Sequence, residues 1–290
     1  MTIDDCRRFY SEEIRFTANV HSPALIEAFA RVPREKFLGP GPWEIASPEV
    51  RGLSATLGIQ SSYTRIDDPC NLYHNVVVVL DKSADINNGQ PSALARWIDA
   101  LDLAAGARVY HLGCGVGYYT AIMAEIVGPE GSVVGCEVNP DLATRAKENL
   151  SRYPNVKVFA GDGATFDPGE CNAMLINAGV THPGPLWLDH LREGGRLVLP
   201  LTMATTPTIG IGVMVKMVRR HEKFSAEIVT SLAIYSCINA RDPQLEPLLR
   251  SAMTTGALLK MKSLRRDLHE QSPTCLMHSP NFCLSSVEVG

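Results

Sequence analysis

The stretch Arg108-Val-Tyr-His-Leu-Gly-Cys-Gly-Val-Gly-Tyr-Tyr-Thr120 decides how this chain folds. A short apolar run (Val109, Tyr110, Leu112) enters Gly113-x-Gly115-x-Gly117, and helical periodicity begins at once with Tyr119, Ile122, Met123, Ile126 and Val127. Glycines at a strand-to-helix turn permit tight backbone geometry and let a ligand approach the main chain. The spacing is GxGxG, because position 118 is Tyr, whereas a dinucleotide fingerprint reads GxGxxG. Downstream, strand and helix patterns alternate. Strands are predicted near 108–112, 132–137, 156–160, 172–177 and 195–199, with a helix over 140–153. That alternation implies a parallel sheet with right-handed crossovers.

Two acids follow the glycine turn in order. Ser132-Val-Val-Gly-Cys-Glu137 reads as a buried strand whose acid stands at its carboxyl end, 20 residues after Gly117. A carboxylate there can accept both ribose hydroxyls of an adenosyl group. Asp162, in Gly161-Asp-Gly163 just past the third strand, can accept from an adenine amine. Together with the missing GxGxxG spacing, this order points to S-adenosylmethionine rather than NAD. Tyr118 and the lack of a hydride-transfer acid count against an oxidoreductase. The residues expected to contact the cofactor are His111, Gly113, Cys114, Gly115, Gly117, Tyr118, Glu137, Asp162, Gly163 and Asn177.

Further stretches narrow the comparison: Arg31-Val-Pro-Arg-Glu-Lys-Phe37, Asn88-Gly-Gln-Pro-Ser92, His111 to Ala121, Gly161-Asp-Gly163, and Leu191-Arg-Glu-Gly-Gly-Arg-Leu-Val-Leu-Pro200. Over roughly residues 20 to 235 the chain resembles class I S-adenosylmethionine-dependent methyltransferases, and among them the protein-L-isoaspartate O-methyltransferase family. The Val-Pro-Arg-Glu-x-Phe and Gln-Pro elements separate that family from other methyltransferases. The resemblance implies a Rossmann-like class I methyltransferase fold of α/β type, mainly parallel with an antiparallel closing pair. It also implies carboxyl methylation of L-isoaspartyl residues.

The acceptor loop departs from the family's pattern. The family carries Ser directly before the Gln-Pro pair, and here that position is Gly89. Asn88, Gln90 and Ser92 are the candidates for orienting the acceptor, with Asn88 or Ser92 standing in for the missing hydroxyl. Asn87-Asn88-Gly89 also reads as a hairpin-turn signal. His111 stands where most class I enzymes have an acid, and two readings are open for it: partial anchoring of the cofactor's amino-acid end, or a buried histidine hydrogen-bonded to backbone. Asn177, past a strand end, is either a substrate or cofactor contact or a turn former. His182 reads as a loop residue. Of Tyr118 and Tyr119, one is expected in the core and the other near the cofactor. Attack by an already ionised carboxylate needs orientation rather than a general base, and no Ser/His/Asp set is signalled. The acceptor is then a carboxylate of a peptide, protein or small molecule. Alternatives are another acceptor on the same scaffold and a non-catalytic cofactor-binding module.

Composition is that of an ordinary globular chain: 290 residues, 45% hydrophobic, 20% charged and a net charge of −4. The balance disfavours a nucleic-acid binder that relies on phosphate neutralisation, and the basic cluster at 260–266 reads as a solvated face. No apolar run is long enough to span a membrane, and the eight cysteines lie apart with no CxxC or Cys/His metal spacing. The expectation is therefore a cytoplasmic protein with reduced thiols, no metal and no membrane or nucleic-acid partner. Residues 1–85 read as an N-terminal helical and loop extension with a β-branched run at 74–80. Residues 86–238 form the cofactor-binding core, closed by strands over 208–218 and 226–234. Residues 239–290 form an appendage, with a helix near 244–260 and short strands near 262–266 and 283–286.

Overall fold

A computed structural model describes residues 1–46, 62–83 and 86–289. Part of the loop expected in the N-terminal extension, residues 47–61, lies outside the described residues, as do residues 84 and 85. The chain opens with α1 (Ile3–Thr17), capped by a reciprocal Thr2–Asp5 box, and α2 (Pro23–Arg31), which starts on Ser22. A small antiparallel sheet follows, made of β1 (Trp43–Ala46), β2 (Tyr63–Ile66), β3 (Val77–Asp81) and β4 (Ile86–Asn87), in the order β2-β1-β3-β4. α3 (Pro91–Ala100) then begins with Pro at its first position, where the missing N–H costs nothing.

The core repeats the predicted alternation. β5 (Arg108–Leu112), α4 (Tyr118–Val127), β6 (Ser132–Glu137), α5 (Pro140–Asn149), β7 (Val156–Ala160) and β8 (Cys171–Ile176) are joined by parallel crossovers. After α6 (Pro185–His190), β9 (Leu191–Ala204) adds a further parallel strand beside β8. β10 (Ile209–Arg220) and β11 (Lys223–Tyr235) then form the expected antiparallel closing pair. The antiparallel part runs on past that pair. After α7 (Glu246–Thr254), the strands β12 (Ser263–Arg265), β13 (Cys275–His278) and β14 (Cys283–Ser285) continue the sheet, whose order is β13-β14-β12-β11-β10-β9-β8-β5-β6-β7. Residues beyond 239 are thus hydrogen-bonded to the core rather than detached from it.

Alternation along each strand sends side chains to two cores. Val109, Val133 and Leu175 pack beneath α4 and the N-terminal helices, while Tyr110, Leu112, Met174 and Ile176 face the other layer with Trp187 and the C-terminal segment. α4 is buried on nearly every face, since it lies between the sheet and α2. The expectation that the cysteines stay apart is corrected near the C-terminus. One ligand-type atom from each of His269, Cys275, His278 and Cys283 lies within 4.8 Å of the others. No short motif announced this grouping, because a loop and a hairpin assemble it.

Candidate functional site

β5 pairs with β6 on one side and β8 on the other, so the chain order reverses at β5 and opens a crevice at the strands' carboxyl ends. The glycine turn, Glu137, Gly161–Gly163 and Asn177 all stand on this edge. Backbone bonds tie them together: Gly113 N–H donates to the Cys136 carbonyl (2.8 Å), Gly161 N–H to the Glu137 carbonyl (2.9 Å) and Asn177 N–H to the Leu112 carbonyl (2.9 Å).

The three glycines do different things. Gly113, Gly115 and Gly117 all have positive φ (74°, 55° and 91°), which a side chain would strain. A Cβ on Gly117 would lie 2.6 Å from Leu150 Cδ1, and one on Gly113 would lie 3.1 Å from the Asn177 carbonyl oxygen. Those two glycines serve close packing. Nothing lies within 4 Å of a Cβ built on Gly115, so its outer side faces open space. Gly115 N–H donates to Glu137 Oε2 (2.8 Å), while Glu137 Oε1 accepts from Asn139 N–H (3.0 Å). One carboxylate thereby joins the glycine turn to the start of α5. Glu137 is 7% exposed, but the next residue, Val138, is 46% exposed and presents an apolar face at the same strand end. A cleft of about 570 Å³ between the small sheet and the start of α5 includes Asn139 in its wall.

Asp162 also lies on this edge. Its carboxylate accepts from Ala164 N–H (2.8 Å) and from Asn239 Nδ2 (3.1 Å). Asn177 Nδ2 donates to the Gly113 carbonyl (3.2 Å), bracing the turn from β8. Gly163 packs inward, where its carbonyl accepts from the Tyr110 hydroxyl (2.9 Å) and a Cβ would meet Leu112 at 2.6 Å.

Four expected side chains turn away from the crevice. His111 alternates with Tyr110 and so lies on the face covered by α4. It is fully buried, its Nδ1 is 2.9 Å from Thr120 Oγ1, and burial pushes the imidazole down to about 3, so the ring is neutral. Its partner is thus a side chain, not backbone. Cys114 packs its sulfur against Gly135 of β6, leaving only its backbone toward the turn. Tyr118 is fully buried in edge-to-face contact with Phe29, Phe37 and Tyr119. Tyr119 instead reaches the acceptor loop, its hydroxyl donating to the Gly89 carbonyl (3.4 Å). Asn88 is also buried; its Oδ1 accepts from Val78 N–H (3.0 Å) and lies 3.5 Å from Arg34 Nη2.

The rest of that loop stands at the crevice's rim. Gly89 has φ +76°, and a Cβ there would meet Leu94 Cδ2 at 2.8 Å. It leads into α3 rather than closing a hairpin. Asn87 Oδ1 accepts from Gly89 N–H (2.9 Å), and Asn87 Nδ2 donates to the Tyr235 hydroxyl (2.8 Å) at the end of β11. Gln90 caps α3 with its backbone only, and Ser92 N–H donates to Asn75 Oδ1 (2.9 Å); both are half-buried.

Composition and spacing gave no sign of two supports. Arg34 is fully buried, and its guanidinium donates to the carbonyls of Leu72 (2.5 Å), His74 (3.0 Å) and Val76 (2.7 Å), so the Val-Pro-Arg element fixes the segment that leads into β3. Arg241, paired with Glu246, donates to the Thr202 carbonyl (2.9 Å) and hydroxyl (3.0 Å) and to the Gly179 carbonyl (3.4 Å). The C-terminal segment thereby holds the chain that leaves β8.

A family model described as Protein-L-isoaspartate(D-aspartate) O-methyltransferase (PCMT) matches residues 61–234. The chain belongs to this family. It is 32% identical over 214 residues to protein-L-isoaspartate O-methyltransferase 1 of Archaeoglobus fulgidus, covering 71% of this chain and 83% of that one. It is 32% identical over 188 residues to the Methanothrix thermoacetophila protein-L-isoaspartate O-methyltransferase, covering 63% and 76%. Two solved structures share the fold. One, a protein-L-isoaspartate O-methyltransferase, has a TM-score of 0.61 at 22% identity over 84% of this chain and 69% of its own. The other, a Plasmodium falciparum PCMT solved with S-adenosyl-L-homocysteine, has a TM-score of 0.57 at 17% identity over 80% and 98%. The segment from 239 onward lies outside the matched family span, yet Asn239 bonds Asp162 of the crevice and Arg241 bonds Gly179 in the chain leaving β8. No helix among the described residues is long and apolar enough to cross a membrane.

Proposed function

We propose that this chain is an S-adenosylmethionine-dependent carboxyl O-methyltransferase that acts on L-isoaspartyl residues of peptides or proteins. The observation that carries the reading is the carboxylate of Glu137 fixed beside the open face of Gly115, with exposed Val138 next to it. That combination fits an adenosyl group: hydroxyl acceptors on Glu137, an apolar surface on Val138, a backbone cradle at Gly115 and an amine acceptor at Asp162. S-adenosylmethionine supplies an electrophilic methyl group on a sulfonium. The chain's own task is orientation. Asn177 and Glu137 hold the glycine turn in place, and the loop Asn87 to Ser92, pinned by Tyr119 and Tyr235, presents the half-buried Gln90 amide as its group for an acceptor carboxylate. An ionised carboxylate needs no general base, and the neutral, buried His111 supplies none. All eight cysteines are free, which suits a reducing cytoplasm.

A second acceptor is favoured by one observation. Gly89 adopts a left-handed conformation that Ser would occupy only under strain, so this loop cannot simply be the family's loop without its hydroxyl. A carboxylate of a modified peptide is the alternative. A peptide carrying one isoaspartate and its aspartyl twin, incubated with labelled S-adenosylmethionine, decide between them. Base-labile label on the isoaspartyl peptide alone is expected; no label above blank would refute the repair reading.

A further inference from the structure

We propose that His269, Cys275, His278 and Cys283 form a structural zinc site that clasps the C-terminal hairpin. A four-coordinate zinc with Zn–S near 2.3 Å and Zn–N near 2.0 Å sets its ligand atoms roughly 3.3–3.8 Å apart. The four atoms here lie within 4.8 Å of one another, and His269 Nε2 stands 3.6 Å from Cys275 Sγ, already the separation of a nitrogen–sulfur edge.

The local backbone is arranged for convergence. Residues three apart in a regular strand point to opposite faces, so Cys275 and His278 of β13 would ordinarily diverge. A register shift between Cys275 and Met277 breaks the alternation and brings both to one side. His278 then sits directly opposite Cys283 on β14, and the loop before β13 brings in His269, whose ring lies 4.8 Å from that of His278.

The surroundings point to a cation rather than to a polar cluster satisfied by itself. His269 Nδ1 is 2.8 Å from the Asp267 carbonyl. It must donate there, which leaves the Nε2 lone pair facing Cys275, the usual support for a ligating histidine. Asp267 is itself held by Arg265 (2.8 Å). Ser272 N–H points at Cys275 Sγ (3.3 Å), as it would to stabilise a thiolate. His278 Nδ1 is buried and has no hydrogen-bond partner, a cost that a folded chain ordinarily avoids.

Two thiolates, two neutral imidazoles and a divalent ion sum to zero charge, which suits a half-buried site. Soft sulfur with imidazole in a tetrahedral set selects zinc, and four protein ligands leave no open position for chemistry. The clasp has a consequence for the crevice. Phe282, adjacent to Cys283, stacks on His182 in the segment leaving β8, with ring centroids 6.0 Å apart.

The full-length chain, purified under reducing conditions from zinc-supplemented cells, should carry about one zinc per chain by mass spectrometry of metals. Exchange into cobalt should give the intense visible bands of a tetrahedral ion together with thiolate charge-transfer absorption. Cys275→Ala with Cys283→Ala should lower metal content at least tenfold. If that variant fails to fold, the cobalt spectrum of the unaltered chain still decides. Metal-free protein that takes up neither zinc nor cobalt overturns the proposal. So does a Cys275–Cys283 disulfide whose reduced form binds no metal, or full zinc retention in the double variant.

Discussion

Replacing Glu137 by Gln tests the centre of the site with little change of shape. In the native chain each carboxylate oxygen accepts one backbone N–H, from Gly115 at 2.8 Å and from Asn139 at 3.0 Å. An amide keeps one acceptor oxygen and turns an NH2 toward the other N–H, so one charge-assisted hydrogen bond is lost and one donor is left facing a donor. Bonds of this type contribute about 1.5–3 kcal/mol each. The ligand-free protein should therefore lose about 2 kcal/mol, a fall in Tm of about 4 °C or somewhat more at roughly 2–4 °C per kcal/mol. Adenosyl binding should weaken by a similar amount, roughly ten- to a hundredfold, because the turn is loosened and the ribose acceptor is halved. Differential scanning calorimetry of the free protein and titration calorimetry with S-adenosylhomocysteine read the two effects separately. A variant with unchanged Tm and unchanged affinity would refute both the tether and the placement of the ribose. Lost affinity with native Tm would refute the tether alone, since a strand-tip acid that only meets ligand should not alter folding.

Gly89→Ala should cost about 1–2 kcal/mol from its left-handed φ, beyond any shift of Leu94, read as a lower urea midpoint at unchanged slope; an unaltered midpoint would place Gly89 in ordinary backbone. Arg34→Lys should destabilise by about 2 kcal/mol or more, because an ammonium cannot reach the carbonyls of Leu72, His74 and Val76 together; chemical denaturation checks it, and neutrality would show that the fork is dispensable. His111 stays neutral down to about pH 3 when folded, whereas the unfolded chain takes up its proton near 6.5. The unfolded state thus binds the extra proton as pH falls, so stability should decline below about pH 6.5 by up to ~1.4 kcal/mol per pH unit and stay flat above. His111→Asn should retain a partner for Thr120 and lose that part of the slope; parallel stability curves for variant and parent between about pH 7 and pH 5 would contradict it.

Much of the crevice was legible because its determinants are local. A β-branched or apolar run, a glycine turn and an immediate 3.6-residue period depend on neighbours in sequence, so β5, α4 and the placement of Glu137 and Asp162 at strand ends could be read directly. The direction in which side chains point could be read only by half. Alternation says that His111 and Tyr110 face opposite ways, but not that α4 and α2 cover the His111 side and bury Tyr118 with it. Asn88 misled for a similar reason. A turn-type dipeptide looks the same whether its amide faces ligand or, as here, satisfies Val78 and Arg34.

Fold class, cofactor type and the line of residues along the crevice were therefore determined by the sequence alone, since short-range geometry and strand order dictate them. Tertiary structure alone decided which of those residues look outward, and how far the sheet extends. The clamp of Arg241 on Thr202 joins positions about forty apart, and the grouping of His269 and Cys275 with His278 and Cys283 needs a bulge that re-aims one strand. Such meetings are set by packing between distant segments, and no local pattern encodes which distant surfaces will touch.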